Sequence, residues 1–291
     1  MITEPGVYTM SFEDYLADCC PEPSLTRSTI KSLLFETPLH AFYGHRRLNP
    51  NYQEEEKKQF DIGTAAHSIF LQGIDVAITV DADNWMKKAN QELKEEIRKL
   101  GKIPLLTHQY EDVQKIVNAA HLQLWQFELE PGEPACLQIG MGDSELTYIW
   151  KEGDVWCRIR PDWISKDRTL KIAYKTTATS AHPESYNRIL LSTGLDIENA
   201  FYKRGIKAID KIEPDIIFMV QEVFEPYLCS FIRLDLQFQD MGDQKVKRGM
   251  NLWRECTKSG KWPGYSTNVY TLEPPGWAMA SWETKRMIEG E

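Results

Sequence analysis

The sequence predicts an α/β domain in which a central mixed β-sheet is flanked by helices and preceded by a helical N-terminal portion. Apolar residues recur at helical spacing over 85–100 and again from Thr107. Short β-type runs separated by turn residues follow from residue 147 onward. Hydrophobic residues make up 42% of the 291 residues and charged residues 26%, which is typical of a folded protein rather than a disordered one.

The N-terminal portion, residues 1–60, is predicted to form short helices between Ser11 and Tyr52. A helix is expected over 28–34, where it starts after a Thr/Ser cluster suited to an N-cap. The charged run 54–58 is typical of a solvated loop or a helix start. The helix expected over 60–71 carries small residues that would let it approach another backbone closely.

The core is predicted to span residues 61–260. Helices over 85–100 and 107–124 are expected to form a hairpin, and the strands over 147–174 an antiparallel meander. The elements predicted in this part are strands at 147–150, 155–159 and 170–174, a helix at 182–206, strands at 216–220 and 227–234, and a helix at 239–259. Residues 261–291, with several Pro and Trp residues, are expected to be an ordered coil, so that 1–291 form a single domain.

Targeting signals are not evident. The N-terminus has no basic segment followed by an apolar run, and no window approaches the roughly 18 apolar residues of a membrane span. We therefore expect a cytoplasmic protein without a membrane partner. The six cysteines contain no CxxC pair, which argues against a zinc or iron–sulfur site.

The charge is unevenly distributed. The chain has 34 Lys and Arg against 43 Asp and Glu, a net charge of −9, which excludes a generally basic nucleic-acid coat. Residues 158–175 nevertheless hold six basic and two acidic side chains, a local net charge of +4. This distribution favours a basic cleft in an otherwise acidic protein.

A pattern around two predicted strands indicates chemistry on a phosphodiester. Asp162 follows Pro161 at the end of one strand, and Lys175 lies on the neighbouring strand. Residues two apart in a strand share a face, so a carboxylate at position 173 would lie beside Lys175. Two carboxylates suit Mg²⁺, and a lysine can hold water and stabilise phosphate charge. Position 173 is alanine, so the second carboxylate is absent.

Four segments together resemble the RecE-type exonucleases of the PD-(D/E)XK nuclease superfamily, relatives of lambda exonuclease. They lie in the expected order over roughly residues 25 to 280, and they are Gly63-Thr64-Ala65-Ala66-His67, the long helices around Leu100-Gly101-Lys102, Arg160-Pro161-Asp162-Trp163 and Tyr174-Lys175-Thr176-Thr177.

The resemblance implies roles for individual residues. It makes His67, Asp162 and the backbone carbonyl of Tyr174 metal ligands, and Lys175 the catalytic lysine. The family's second aspartate falls on Ala173. Its Gln-X-X-X-Tyr motif falls on Glu198 and Tyr202, with Glu in place of Gln. The residues expected to contact DNA are Arg27, Ser28, Thr29, Arg158, Arg160, Thr176 and Thr177.

The resemblance also implies an activity. This is Mg²⁺-dependent 5′→3′ digestion of one strand from the ends of double-stranded DNA, with two ions per site and Mn²⁺ as a possible substitute. The product is a 3′ overhang for recombination by strand annealing. The implied partners are duplex ends, a single-strand annealing protein and further copies of the chain in a trimeric or tetrameric ring.

Several alternatives stay open. The chain is expected to be catalytically impaired, and Ala173 is either a deliberate inactivating substitution or the natural residue of a DNA-end-binding pseudonuclease. An endonuclease of the same superfamily is a further alternative. Taken singly, His67 could be a core histidine, Asp162 a turn residue and Arg27 part of a helix start. Glu145 is either an additional acidic group near the metals or a solvated strand end.

Overall fold

The protein is described here by a computed structural model covering residues 1–53 and 61–289, so the charged run 54–58 lies outside the described residues. The N-terminal portion begins with a short strand and three short helices. They are β1 (Gly6–Tyr8), α1 (Phe12–Leu16), α2 (Arg27–Phe35) and α3 (Pro38–Tyr43). The side chain of Thr26 accepts a hydrogen bond from the backbone N–H of Thr29 and so caps α2. The helix predicted from the Ser/Thr cluster is therefore present.

The next part of the chain joins two long helices to several strands. The elements are α4 (Asp61–Gln72), β2 (Ala77–Val80), α5 (Lys88–Lys99), β3 (Ile103–Leu106), α6 (Thr107–Gln126), β4 (Glu128–Glu130), β5 (Glu133–Pro134), a 3₁₀ turn (Ile139–Met141), β6 (Gly142–Ser144) and β7 (Thr147–Glu152).

The C-terminal half completes the sheets and their helical cover. Its elements are β8 (Val155–Ile159), β9 (Trp163–Ser165), β10 (Leu170–Thr177), α7 (Pro183–Thr193), α8 (Leu195–Asp210), β11 (Asp215–Glu222), β12 (Cys229–Arg233), α9 (Leu236–Ser259) and α10 (Gly276–Glu289).

The strands form a mixed α/β arrangement, as predicted. One sheet has the order β12-β11-β10-β9-β6, and a second has the order β1-β7-β8. Strand β10 pairs in parallel with β11 and antiparallel with β9. The chain leaves the second sheet at the end of β8 and enters the first at β9, so Asp162 lies at the crossing between the two sheets.

Strand β10 separates two apolar clusters because its side chains alternate between the faces of the sheet. Ile172 and Tyr174 pack in the cluster that contains Phe70 of α4 and Ile116 of α6. Ala173 packs on the opposite face, in the cluster that contains Leu195 of α8. The strand thus presents Lys171, Ala173 and Lys175 towards α7 and α8.

Three expectations about elements are wrong. The proposed hairpin of α5 and α6 is interrupted by β3, which pairs in parallel with β2. The single helix predicted over 182–206 is two helices, because Gly194 has φ +72° and ends α7. The meander is split between two sheets, since β7 pairs with β8 but β9 pairs with β10.

The C-terminal segment, expected to be a coil, also contains the helix α10. Pro274 and Pro275 precede α10 rather than lie inside it, and proline is tolerated at a helix start. No residue of this helix is buried.

Candidate metal centre and catalytic cleft

Three potential metal ligands converge where the two sheets meet. They are His67 on α4, Glu145 between β6 and β7, and Asp162 between β8 and β9. One ligand atom of each lies within 4.8 Å of those of the other two. His67 Nε2 is 3.8 Å from Asp162 Oδ1, and His67 Nδ1 is 3.9 Å from Glu145 Oε1. Among residues 1–53 and 61–289 this is the one such group.

The backbone brings Glu145 to Asp162. Glu145 has φ +58°, and its N–H donates to the carbonyl oxygens of Pro161 at 3.1 Å and Asp162 at 3.3 Å. Its side chain accepts a hydrogen bond from Arg160 Nε at 2.5 Å. Of the two interpretations of Glu145 that the sequence left open, the structure favours the acidic group beside the proposed metal ligands.

The electrostatics of the group suit a cation. Burial raises the pKa of Glu145, and the neighbouring Asp162 carboxylate adds to the effect. Burial alone would raise the pKa of Asp162 too, but Lys175 and His67 outweigh it and hold that pKa well below its usual range. Two partly buried carboxylates that repel each other beside an imidazole are a donor set that accepts Mg²⁺ or Mn²⁺, since the cation relieves the repulsion.

Lys175 joins this group to a second carboxylate. Its Nζ lies 3.3 Å from Asp162 Oδ2 and 3.2 Å from Glu198 Oε1. Burial would lower the pKa of Lys175, but these two carboxylates raise it above its ordinary value. The side chain is therefore an ammonium at neutral pH.

Glu198 is enclosed by three cations. Lys171 Nζ lies 3.1 Å from Glu198 Oε1, and Arg27 Nε lies 3.8 Å from Glu198 Oε2. These cations and Lys175 outweigh burial and lower the pKa of Glu198 to about 2. Lys171 is fully buried and is not one of the site residues predicted from the sequence. Its only sequence signal is that it lies on the same strand face as Lys175.

Ala173 lies between the two lysines and offers only a methyl group. It is fully buried against apolar residues of α7, α8 and β11. Glu145, from a separate part of the chain, supplies a carboxylate beside Asp162 and His67.

Two tyrosines were also predicted to belong to the site, Tyr202 through its side chain and Tyr174 through its backbone carbonyl. The hydroxyl of Tyr202 donates to the carbonyl oxygen of Arg160 at 3.3 Å, and Lys171 Nζ lies 4.1 Å from the centre of its ring. Tyr174 lies two residues beyond Ile172, the last residue of β10 in the register with β9. Its carbonyl as a metal ligand stays a prediction.

Two of the arginines expected to contact DNA are buried in ion pairs, which does not favour such contacts. Arg158 is buried in an ion pair with Asp18 at 2.7 Å, and Arg160 is buried against Glu145. Lys166 and Arg168 both pair with Asp143. The local charge of +4 is thus largely offset by ion pairs with carboxylates, although the side chain of Lys166 itself is exposed.

Other predicted DNA contacts lie near an open cleft beside the ligand group. The cleft has a volume of about 560 Å³ and is lined by Arg27, Lys31, His67, Lys175, Thr176 and Glu198, among others. Ser28 and Thr29 lie at the start of α2, where their hydroxyls contact that of Thr26. Thr177 contacts Thr179. DNA contacts by these residues stay predictions.

Comparisons with known proteins identify a family and a shared fold. A family model described as "PDDEXK-like domain of unknown function (DUF3799)" matches residues 28–273. No curated protein matches the chain. A crystal structure described as a "Putative exonuclease" from Eubacterium rectale is similar over 94% of this chain and 98% of that one. It has a TM-score of 0.58 and 10% sequence identity, and so shows a shared fold.

Over residues 1–53 and 61–289, every helix is too short or too polar to cross a bilayer.

Proposed function

The chain belongs to the family of PDDEXK-like domains of unknown function (DUF3799), and we propose from this premise that it is a divalent-metal-dependent nuclease acting on duplex DNA ends. The observation that carries the proposal is the convergence of His67, Glu145 and Asp162 beside the ammonium of Lys175. The finer proposal is 5′→3′ digestion that leaves a 3′ overhang for strand annealing, and the sequence resemblance supports it.

His67, Glu145 and Asp162 would hold the cation, with Mg²⁺ as the proposed ion and Mn²⁺ as a substitute. A bound divalent cation supplies Lewis acidity, which makes a water more acidic and offsets charge on the scissile phosphate. A second ion and the carbonyl of Tyr174 as a ligand are implied by the resemblance.

Lys175 acts as a cation in this proposal. Because its pKa is raised, it cannot accept a proton from water at neutral pH. Its N–H groups can instead donate to a phosphate oxygen and stabilise the negative charge that develops during cleavage. Asp162 and Glu198 hold the ammonium at the floor of the cleft for this purpose.

The cleft supplies a path for a phosphate backbone. Arg27, Lys31 and Thr176 all line it. We propose that Arg27, at the start of α2, contacts the 5′ phosphate of the digested strand. A ring of three or four copies and an annealing partner remain part of the proposal through the resemblance.

The test uses duplex DNA labelled at either the 5′ or the 3′ end, and circular duplex, each with Mg²⁺, Mn²⁺ or EDTA. We expect release of labelled mononucleotide first from the 5′ end of linear DNA, and none in EDTA. Asp162→Asn should abolish release, whereas Asp143→Asn, a carboxylate paired with Lys166 outside the cleft, should not. Release from the 3′ label first would contradict the direction, and cleavage of circles would favour an endonuclease.

Ala173 favours a second candidate, a module that binds DNA ends without cutting them. Its position is that of a metal-binding carboxylate in the resembling family. Metal-dependent binding of linear duplex with no cleavage in either Mg²⁺ or Mn²⁺ would identify this function instead.

A further inference from the structure

The carboxylate of Glu198 lies over strand position 173. Residues 171, 173 and 175 share a face of β10, and Lys171 and Lys175 are separated by about 13 Å along the strand at roughly 3.3 Å per residue. Both ammonium groups nevertheless meet the same oxygen, Glu198 Oε1, at 3.1 and 3.2 Å. The two lysines must lean towards each other to do so, which places that oxygen above Ala173.

The packing around position 173 agrees with this placement. Ala173 is fully buried in a cluster with Leu195, in the first turn of α8, and Tyr202 packs against the same cluster. Glu198 itself is only 4% exposed. The first turns of α8 therefore cover the strand at the point where a longer side chain from position 173 would project.

We propose that Glu198 of α8 takes over the role of the carboxylate that strand position 173 lacks. The two departures from the resembling family, Ala for Asp at 173 and Glu for Gln at 198, are then one exchange. The carboxylate moves from the strand to the helix, and the number of carboxylates facing Lys171 and Lys175 stays the same. The inference rests on the proposed function, since it assigns Glu198 to the same cation site.

The position of Glu198 suits that role. A single ammonium, that of Lys175, separates it from Asp162. It therefore adjoins the group formed by His67, Glu145 and Asp162 on the side of the cleft. An inactivating substitution made at position 173 alone would leave no reason for a compensating glutamate at position 198.

The experiment measures Mn²⁺ affinity by titration calorimetry, which does not depend on activity. Glu198→Gln should weaken Mn²⁺ binding by about 10-fold or more, a loss typical of groups that orient or support a metal site. Ala173→Asp combined with Glu198→Gln should return the affinity to near that of the unsubstituted protein. Asp196→Asn is the matched control, because Asp196 is a buried carboxylate on the same helix that pairs with Lys245 at 2.6 Å. It should leave the affinity unchanged.

Two results would overturn the exchange. One is an unchanged affinity in Glu198→Gln. The other is a folded double variant, checked by circular dichroism, that binds Mn²⁺ as weakly as Glu198→Gln. If Glu198→Gln alone does not fold, the double variant decides, and its failure to fold would also count against the exchange.

Failure of the exchange can be told apart from failure of the proposed function. Asp162→Asn is titrated in parallel. If the unsubstituted protein does not bind Mn²⁺, or if Asp162→Asn binds it equally well, the metal-dependent function fails. If Asp162→Asn loses binding while Glu198→Gln retains it, only the exchange fails.

Discussion

The backbone N–H of Glu145 donates a hydrogen bond to the carbonyl oxygen of Asp162 at 3.3 Å. Two carboxylate-bearing residues from separate loops are thereby fixed to each other by the main chain, independently of any ion. Their mutual repulsion adds to the burial that raises the pKa of Glu145. The fold thus holds two like charges together, which is the arrangement that favours binding of a cation.

Glu145→Gln tests this pairing. The amide oxygen can still accept the hydrogen bond from Arg160, so we expect the fold to be retained. The loss of one negative charge should weaken Mn²⁺ binding by about 10-fold or more. Glu152→Gln is the matched control, because Glu152 also pairs with an arginine, Arg204, but lies outside the ligand group. Equal Mn²⁺ affinities for the two variants in calorimetry would contradict the assignment of Glu145.

The titration of His67 should be visible in stability without metal. Burial lowers the pKa of this imidazole, but Asp162 and Glu145 outweigh burial, so its folded-state pKa is raised. Protonated His67 therefore adds stability that is fully present below its unfolded pKa of about 6.5 and is lost as pH rises through the folded value. The difference in unfolding free energy between the unsubstituted protein and His67→Gln, measured with urea in EDTA, should be larger at pH 5.5 than at pH 8.5. A difference that is constant or that grows with pH would show that the carboxylates do not stabilise the imidazolium.

Lys175→Gln should separate metal binding from cleavage. The substitution removes the ammonium but leaves all three proposed ligands, so Mn²⁺ affinity should be retained or increased. Cleavage of linear duplex should fall by about 100-fold or more, as when a donor to developing charge is removed. Lys175→Arg keeps a cation and should retain more activity than Lys175→Gln.

Lys245→Gln provides the control for that comparison. Lys245 also pairs with a carboxylate of α8, and its side chain is 26% exposed, as is that of Lys175. It should leave the cleavage rate unchanged. A full cleavage rate in Lys175→Gln would remove Lys175 from the mechanism.

The sequence predicted the parts of the site that depend on local patterns. Strand alternation and the spacing of Asp162 and Lys175 predicted that they would meet, and their side chains are 3.3 Å apart. The α/β class was likewise readable from the change of hydrophobic period and is confirmed.

The parts of the site that depend on long-range contacts could not be predicted from the sequence. Glu145 reaches Asp162 through a left-handed residue in a loop, which no periodicity signals. Lys171 was counted as part of a basic segment but is buried against Glu198, 27 residues later in the chain. A count of charges along the sequence cannot distinguish a cation that faces solvent from one that is paired inside the protein.

Gly63→Ala tests how α4 places His67 against the sheet. A Cβ at position 63 would lie 2.6 Å from Thr176 Oγ1, closer than unbonded atoms approach. In an isolated helix alanine would be favoured over glycine by about 1 kcal/mol, but we expect the clash to dominate and to lower the unfolding free energy by about 1–3 kcal/mol. Because His67 lies one turn further along α4, a shift of the helix should also weaken Mn²⁺ binding.

Thr176→Ala should reverse both effects in the double variant. It removes Oγ1 and leaves the Cβ of residue 176 at 3.6 Å, an ordinary contact distance. Gly140→Ala serves as the control, because nothing lies within 4 Å of a Cβ at that position. The coupling between positions 63 and 176 is measured by urea unfolding and Mn²⁺ calorimetry on the unsubstituted protein, Gly63→Ala, Thr176→Ala and the double variant. Additive effects of the two substitutions would mean that the contact between α4 and β10 does not position His67.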